Sequence, residues 1–410
     1  MACRFATTAS CKDSIKKIVM TKITTSNQQN KYYGLDNLRA FAIIMVFFFH
    51  YQRWFEHPAW MPTALNFGWT GVDLFFVLSG FLISSQLFAQ IKKEGSFSMR
   101  DFYIKRFFRI LPIYYFVLAI YFLFPFFSST QSLPPLWKFL TFTQNFGADF
   151  QHHRSFGVVW SLCVEEHFYL LMPAILLLLL KTGIFKKGYL LLVILFMAGF
   201  LLRWYSWYEV YLYQTNGMEN KLLWVPTIYY PTYNRLDGLL VGVSIAALYN
   251  YMPVIFSRLS NYANELVAAG LIILTSSYFL FGNNIDFVRS IFSFPLVSIG
   301  FGCTVLGAIM PGSFLYKWKS AVLTKIAQLS YALYLVHMAI ILLAQTVFSE
   351  WGIAKDSSVM LVFSIMLCIA VALLLHHAIE RPFMKMRERF LKPAVEMQGK
   401  LEVAYIKSGI

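Results

Sequence analysis

Long apolar runs recur along almost the whole chain, and they restrict its fold more than any single motif does. About ten are of bilayer length: roughly 35–52, 70–90, 110–127, 158–180, 188–204, 235–250, 264–281, 291–310, 326–348 and 359–379. A hydrocarbon core takes roughly 20 apolar residues per helical crossing and offers no water to satisfy an open strand edge. The expected fold is all-α, a polytopic transmembrane helix bundle of about ten spans, or eleven if the stretch near 133–147 also enters the membrane. Turn signals at 132–135, Pro253, 282–284 and Pro311-Gly312 separate the runs. The expected division is a polar N-terminal tail over 1–33, a membrane-embedded domain over 34–385 and a basic C-terminal tail over 386–410. With 58% hydrophobic and only 13% charged residues, a soluble globular domain is excluded.

The net charge of +15 does not point to nucleic acid once its placement is considered. If the N-terminus is cytoplasmic, 26 of the 35 Lys and Arg fall in cytoplasmic segments, eight, Arg203 among them, fall outside, and Arg39 lies within the first run. That asymmetry predicts an even number of spans with both termini cytoplasmic. Residues 1–33 hold no apolar run of the length a cleavable signal needs, and Met20 competes with Met1 as the start. The five cysteines, Cys3, Cys11, Cys163, Cys303 and Cys368, show no paired spacing, so neither a disulfide framework nor a zinc site is expected. The adjacent pairs His152-His153 and His376-His377 point in divergent directions, and no metal site is expected from them.

Ionisable groups inside membrane spans are rare and by default mark an interior site or pathway. In GLDNLRAFAIIMVFFFH, Arg39 and His50 stand eleven positions apart. On a helix they share one face, roughly 16 Å apart along the axis. The second run starts with Asp73, and Val77, Gly80 and Ser84 follow on the same face, where the small residues admit a neighbouring helix. Lys92, Lys93, Arg100, Lys105, Arg106 and Arg109 then form the densest basic cluster in the body of the chain. In WSLCVEEHFYLLMP, the residues Trp160, Ser161, Glu165, Glu166, His167 and Tyr169 spread over an arc too wide for lipid to surround. NRLDGLLVGVSIA opens with Arg235 and Asp237, followed by a small-residue stripe at Gly238, Gly242 and Ala246. LSYALYLVH contains Tyr331 and sets Ser330, Tyr334 and His337 on one face.

Structural roles compete with functional ones at each of these positions. Arg106 and Arg109 serve equally as ordinary cytoplasmic anchors, and Asp73 and Asp237 as caps of helix starts. Glu165 and Glu166 could form a structural ion pair with Arg235, and His337 with Tyr334 a hydrogen-bonded packing element.

Taken in order, GLDNLRAFAIIMVFFFH, GVDLFFVLSGFLIS, FYIKRFFRILPIYY, WSLCVEEHFYLLMP, NRLDGLLVGVSIA, LSYALYLVH and ERPF resemble the acyltransferase-3 family of integral-membrane O-acyltransferases, over about residues 33–385. The resemblance implies transfer of an acyl group, usually acetyl from acetyl-CoA, to a hydroxyl of a cell-envelope or exported glycan or a small glycosylated acceptor. It also implies a bacterial inner (cytoplasmic) membrane, acyl-CoA as a substrate in place of any permanently bound cofactor, and no nucleic-acid partner. Arg39 and His50 match the family's arginine followed after ten residues by histidine, and Arg106 and Arg109 match its paired arginines. Its WSLSVEEQFY-like segment is matched by 160–169, with Cys163 where Ser is common and His167 where Gln is common. Some relatives carry a fused hydrolase-like domain, for which this chain ends too soon.

The residues support that chemistry independently. Acyl transfer from a thioester to an alcohol needs a base for the hydroxyl proton or a carrier for the acyl group, and the His50 imidazole suits either role. Arginine forks at Arg39, Arg106 and Arg109 suit the phosphates of an acyl-CoA. Asp73, Glu165, Glu166, Arg235 and Asp237 are expected toward the outer side, one carboxylate orienting His50 and others lining an acceptor site. Trp160, Ser161, Tyr331, Tyr334 and His337 are expected as further acceptor-side or structural polar groups. A glycan or glycolipid transporter or flippase without acyl-transfer chemistry is the rival reading, since a polar-lined bundle serves that role too.

Overall fold

The computed structural model describes residues 33–128, 132–149, 152, 155–216, 218–281 and 285–391. The expected tails fall largely outside these residues, together with Cys3, Cys11, His153 and the choice between Met1 and Met20. Among the described residues every regular element is helical.

One long helix falls on each apolar run: α1 (Tyr33–Trp54), α2 (Gly71–Glu94), α3 (Met99–Leu123), α4 (Trp160–Lys181), α5 (Gly188–Tyr205), α6 (Asp237–Tyr251), α7 (Ala263–Phe281), α8 (Phe287–Ala308), α9 (Ala321–Glu350) and α10 (Ser358–Leu375). Eight helical stretches among the described residues are long and apolar enough to cross a membrane. A ninth is made if α6 and the helix Pro253–Ser260, bent by 104°, count as one broken span. The 22-residue α1 falls short of that apolarity because Asp36, Asn37, Arg39 and His50 interrupt its run. The segment 133–147 does not supply an eleventh span. It folds into the five-residue helix Leu136–Leu140 and adjoining turns.

The small-residue stripes set the closest approaches. A Cβ on Gly80 would run into the Leu239 carbonyl, and one on Gly242 into the Val77 carbonyl, so the backbones of α2 and α6 meet directly. α7 packs against α8, and α9 lies between α1 and α10. Ala42 and Val46 of α1, Val77 and Phe81 of α2, and Leu335 and Ile341 of α9 are all buried, which puts these three helices through the middle of the bundle. The start of α1 is tied down by the Asn37 amide, which donates to the Trp318 carbonyl at 2.8 Å. α5, by contrast, lies at the rim with an apolar stretch that is almost wholly exposed. Function-bearing α1 is therefore held inside, and the more uniformly apolar α5 faces outward.

Candidate active site

A cavity of about 120 Å³ opens where α1, α2, α3, α4 and α9 converge. Arg39 reaches it from α1, and Arg106 and Arg109 from the first half of α3. Ser79 of α2, Ser161, Glu165 and Tyr169 of α4, and Ser330, Tyr331 and Tyr334 of α9 complete its polar lining. The Ser79 hydroxyl donates to Glu165 Oε1 at 2.8 Å, and the Tyr169 hydroxyl to Oε2 at 3.2 Å. Arg106 donates to Gln86 Oε1 at 3.2 Å, lies 6.0 Å from the Tyr169 ring centroid, and keeps a buried Nε without a partner. Tyr331 donates to the Ile110 carbonyl at 3.1 Å, fixing α9 against α3. Glu165, expected on the outer side, thus shares a cavity with the three arginines. It lies seven positions beyond Val158, which carries it about two helical turns into the bundle. Glu166, one position on, leaves a buried Oε1 unpartnered.

His50 does not line this cavity. Its Nδ1 lies 3.0 Å from Nε2 of His337 on α9, with the rings tilted by 44° and their centroids 4.9 Å apart. His337 Nδ1 in turn meets the backbone carbonyls of Tyr334 at 2.8 Å and Leu333 at 3.2 Å. The group beside His50 is therefore a second imidazole rather than the expected carboxylate. Tyr334 stands between the two sites. Its ring centroid is 6.0 Å from that of His337, its hydroxyl donates to the Val158 carbonyl at 2.6 Å, and the Ser161 hydroxyl lies 2.6 Å from it. Tyr334 thus lines the arginine cavity and also lies against the imidazole pair.

The remaining charges pair with one another. Arg235 contacts Asp73 Oδ1 at 2.8 Å, not Glu165 or Glu166, and its guanidinium lies over Phe294 (4.2 Å), Tyr229 (4.4 Å) and Trp160 (5.0 Å). Trp160 also stacks on Tyr230 at 4.8 Å, so it serves this aromatic box instead of the cavity. Asp237 contacts Arg203 at 2.6 Å, and Arg203 also donates to the carbonyls of Asn234 (2.9 Å) and Ile291 (3.2 Å). Both pairs are essentially unexposed. Asp73 and Asp237 each sit in the first turn of a helix, α2 and α6, and the tight packing of those helices puts the two pairs side by side. Arg203, which the sequence places among outer loop charges, is a buried partner, and Ser79 and Gln86 carry no sequence signal that singles them out. Among the described residues no group of three or more His, Cys, Asp or Glu is placed to hold a metal ion.

A bundle that keeps a cationic cavity at one depth of a helix and an imidazole pair at another fits the chemistry of a membrane-embedded acyltransferase. The profile of the acyltransferase-3 family, described as an acyltransferase domain, matches residues 32–377. The chain belongs to that family and is an integral membrane protein. It is 29% identical over 365 residues to the peptidoglycan O-acetyltransferase OatA of Listeria monocytogenes, a match covering 79% of this chain and 51% of that protein. A putative O-acetyltransferase of Staphylococcus aureus (strain COL) is 27% identical, with 89% of this chain and 59% of that protein covered. The putative peptidoglycan O-acetyltransferase YrhL of Bacillus subtilis is 25% identical, with 85% and 54% covered. The chain spans little more than half the length of these relatives. No solved structure gives a significant match.

Proposed function

We propose that this protein is a membrane O-acetyltransferase that takes an acetyl group from acetyl-CoA on the cytoplasmic side and passes it to a hydroxyl of a cell-wall glycan. The observation that carries the reading is the convergence of Arg39, Arg106 and Arg109 on one cavity, with His50 eleven residues further along the same helix as Arg39. Three guanidiniums against one carboxylate leave the cavity cationic, which suits the phosphates of the donor. The cavity is too small for the whole donor, so the nucleotide stays at its mouth and the thioester arm extends past Tyr334 toward His50. There the acceptor hydroxyl gives its proton to the imidazole as its oxygen bonds to the acyl carbon. The C–S bond breaks, and the departing thiolate takes the proton back, so no acid stronger than a thiol is required.

The lysine and arginine asymmetry supports cytoplasmic termini and ten spans, with α1 and the broken α6 crossing alongside the eight most apolar stretches. The named relatives come from bacteria and two of them carry peptidoglycan in their names, which supports a bacterial cytoplasmic membrane and peptidoglycan as the acceptor. The test is purified protein in lipid nanodiscs with acetyl-CoA labelled in the acetyl group and soluble glycan strands. Wild-type protein is expected to move label into alkali-labile esters, and His50→Ala to lower that rate by about 10²–10⁴-fold. Label transfer at the wild-type rate by the His50→Ala protein, or no thioester consumption by either protein, would refute the reading.

A further inference from the structure

If His50 is the proton acceptor, which of its nitrogens accepts is decided by its neighbour. Resting on that functional reading, we propose that His337 is a positioning residue: it holds His50 as the Nδ1-protonated tautomer and thereby presents Nε2 as the base. His337 Nδ1 faces two backbone carbonyls, of Tyr334 at 2.8 Å and Leu333 at 3.2 Å. Carbonyl oxygens only accept, and each has a second lone pair beyond its helical bond, so Nδ1 carries a proton and donates. The histidine ion pairs among the described residues involve His152 and His376, not this pair. His337 is wholly buried, and a buried ring without an ion-pair partner is neutral. Its lone pair is therefore on Nε2, 3.0 Å from His50 Nδ1. That contact is a hydrogen bond only if His50 Nδ1 carries the proton, which leaves the His50 lone pair on Nε2.

Exposure points the same way. His50 keeps some accessible surface and His337 keeps none, so of the two residues His50 is the one nearer open space. During transfer the acceptor hydroxyl proton moves to His50 Nε2 and leaves with the thiolate, while the Nδ1 proton stays between the two rings. His337 accepts that hydrogen bond throughout and stabilises the transient imidazolium without placing a carboxylate in the apolar layer. The hydrogen bond spans 287 positions of sequence and ties α1 to α9 at the reacting group.

The test compares His337→Gln with His337→Leu in the full chain. The Gln side chain can turn an amide oxygen to where Nε2 stood, whereas Leu fills the space and accepts nothing. The Gln variant is expected to keep kcat within about threefold of wild type, and the Leu variant to lose about 10- to 100-fold in kcat with KM for acetyl-CoA unchanged. Equal losses in the two variants, or a Leu variant as active as the Gln variant, would reduce His337 to packing and overturn the proposal. A measurement on the unaltered protein guards against misfolded variants. Solid-state ¹⁵N NMR of histidine-labelled protein, with the His50 signals assigned by their loss in His50→Ala, is expected to show protonated Nδ1 and bare Nε2. The opposite tautomer overturns the proposal. A fully active His50→Ala protein would instead refute the functional reading itself, so the two failures are distinguishable.

Discussion

Arg235 shows at the scale of single residues how this chain tolerates charge in an apolar interior. Its guanidinium is held by Asp73 at 2.8 Å and bordered by aromatic faces at 4.2 to 5.9 Å, so both charge and flat surface are matched. Removing one partner would leave the other charge buried alone. Asp73→Ala is expected to destabilise the protein by about 3–5 kcal/mol, and the double change Asp73→Leu with Arg235→Met by clearly less. Thermal unfolding in detergent, followed by intrinsic fluorescence, checks this; equal losses in the two proteins would contradict it. Arg39 and His50 were legible as a pair because helical spacing links them within one run. His337 was legible as a polar residue but not as the neighbour of His50, because no spacing rule connects residues on α1 and α9. Arg203 was misread for a related reason. It ends an apolar run, where a basic residue ordinarily reaches the membrane surface, and only the approach of α6 turns it inward.

Helix positions were legible at the scale of elements, since apolar length and turn residues mark them without tertiary information. That α2 and α6 each offer a flat side for close packing was legible too, from Gly80 and Ser84 on one and Gly238, Gly242 and Ala246 on the other, though not that they pack on each other. Gly80→Leu should drive a side chain into the Leu239 backbone and separate these helices. A loss of at least about 1–3 kcal/mol is expected from overpacking alone. Gly188→Ala, whose new Cβ would meet only a flexible Leu179 methyl at 3.6 Å, is expected to leave stability unchanged. Matching melting temperatures for the two variants would contradict this account of the interface. The break after α6 was legible at Pro253. The collapse of 133–147 into one short helix was not, because it depends on what neighbouring helices leave room for, which local apolarity does not encode.

For the whole molecule, one helix carries two different sites at its two ends, and the proposed function divides the work between them. The N-terminal half of α1 brings Arg39 to a cationic cavity completed by α3, and the C-terminal half brings His50 against α9, with Tyr334 lining the cavity and lying beside His337. The sequence carried the family and the two ends of this device. It did not show that Tyr334 lines the cavity, nor that Glu165 belongs with the arginines, because depth within a helix depends on where the helix starts. The division of roles is open to one direct measurement: initial-rate kinetics of acetyl transfer with acetyl-CoA varied, for wild type, His50→Ala and the double variant Arg106→Ala, Arg109→Ala. The expected result is a KM for acetyl-CoA raised at least about tenfold with kcat largely kept when the arginines are removed, and kcat lost when His50 is removed. Unchanged KM in the arginine variant, or kcat preserved without His50, would contradict the account.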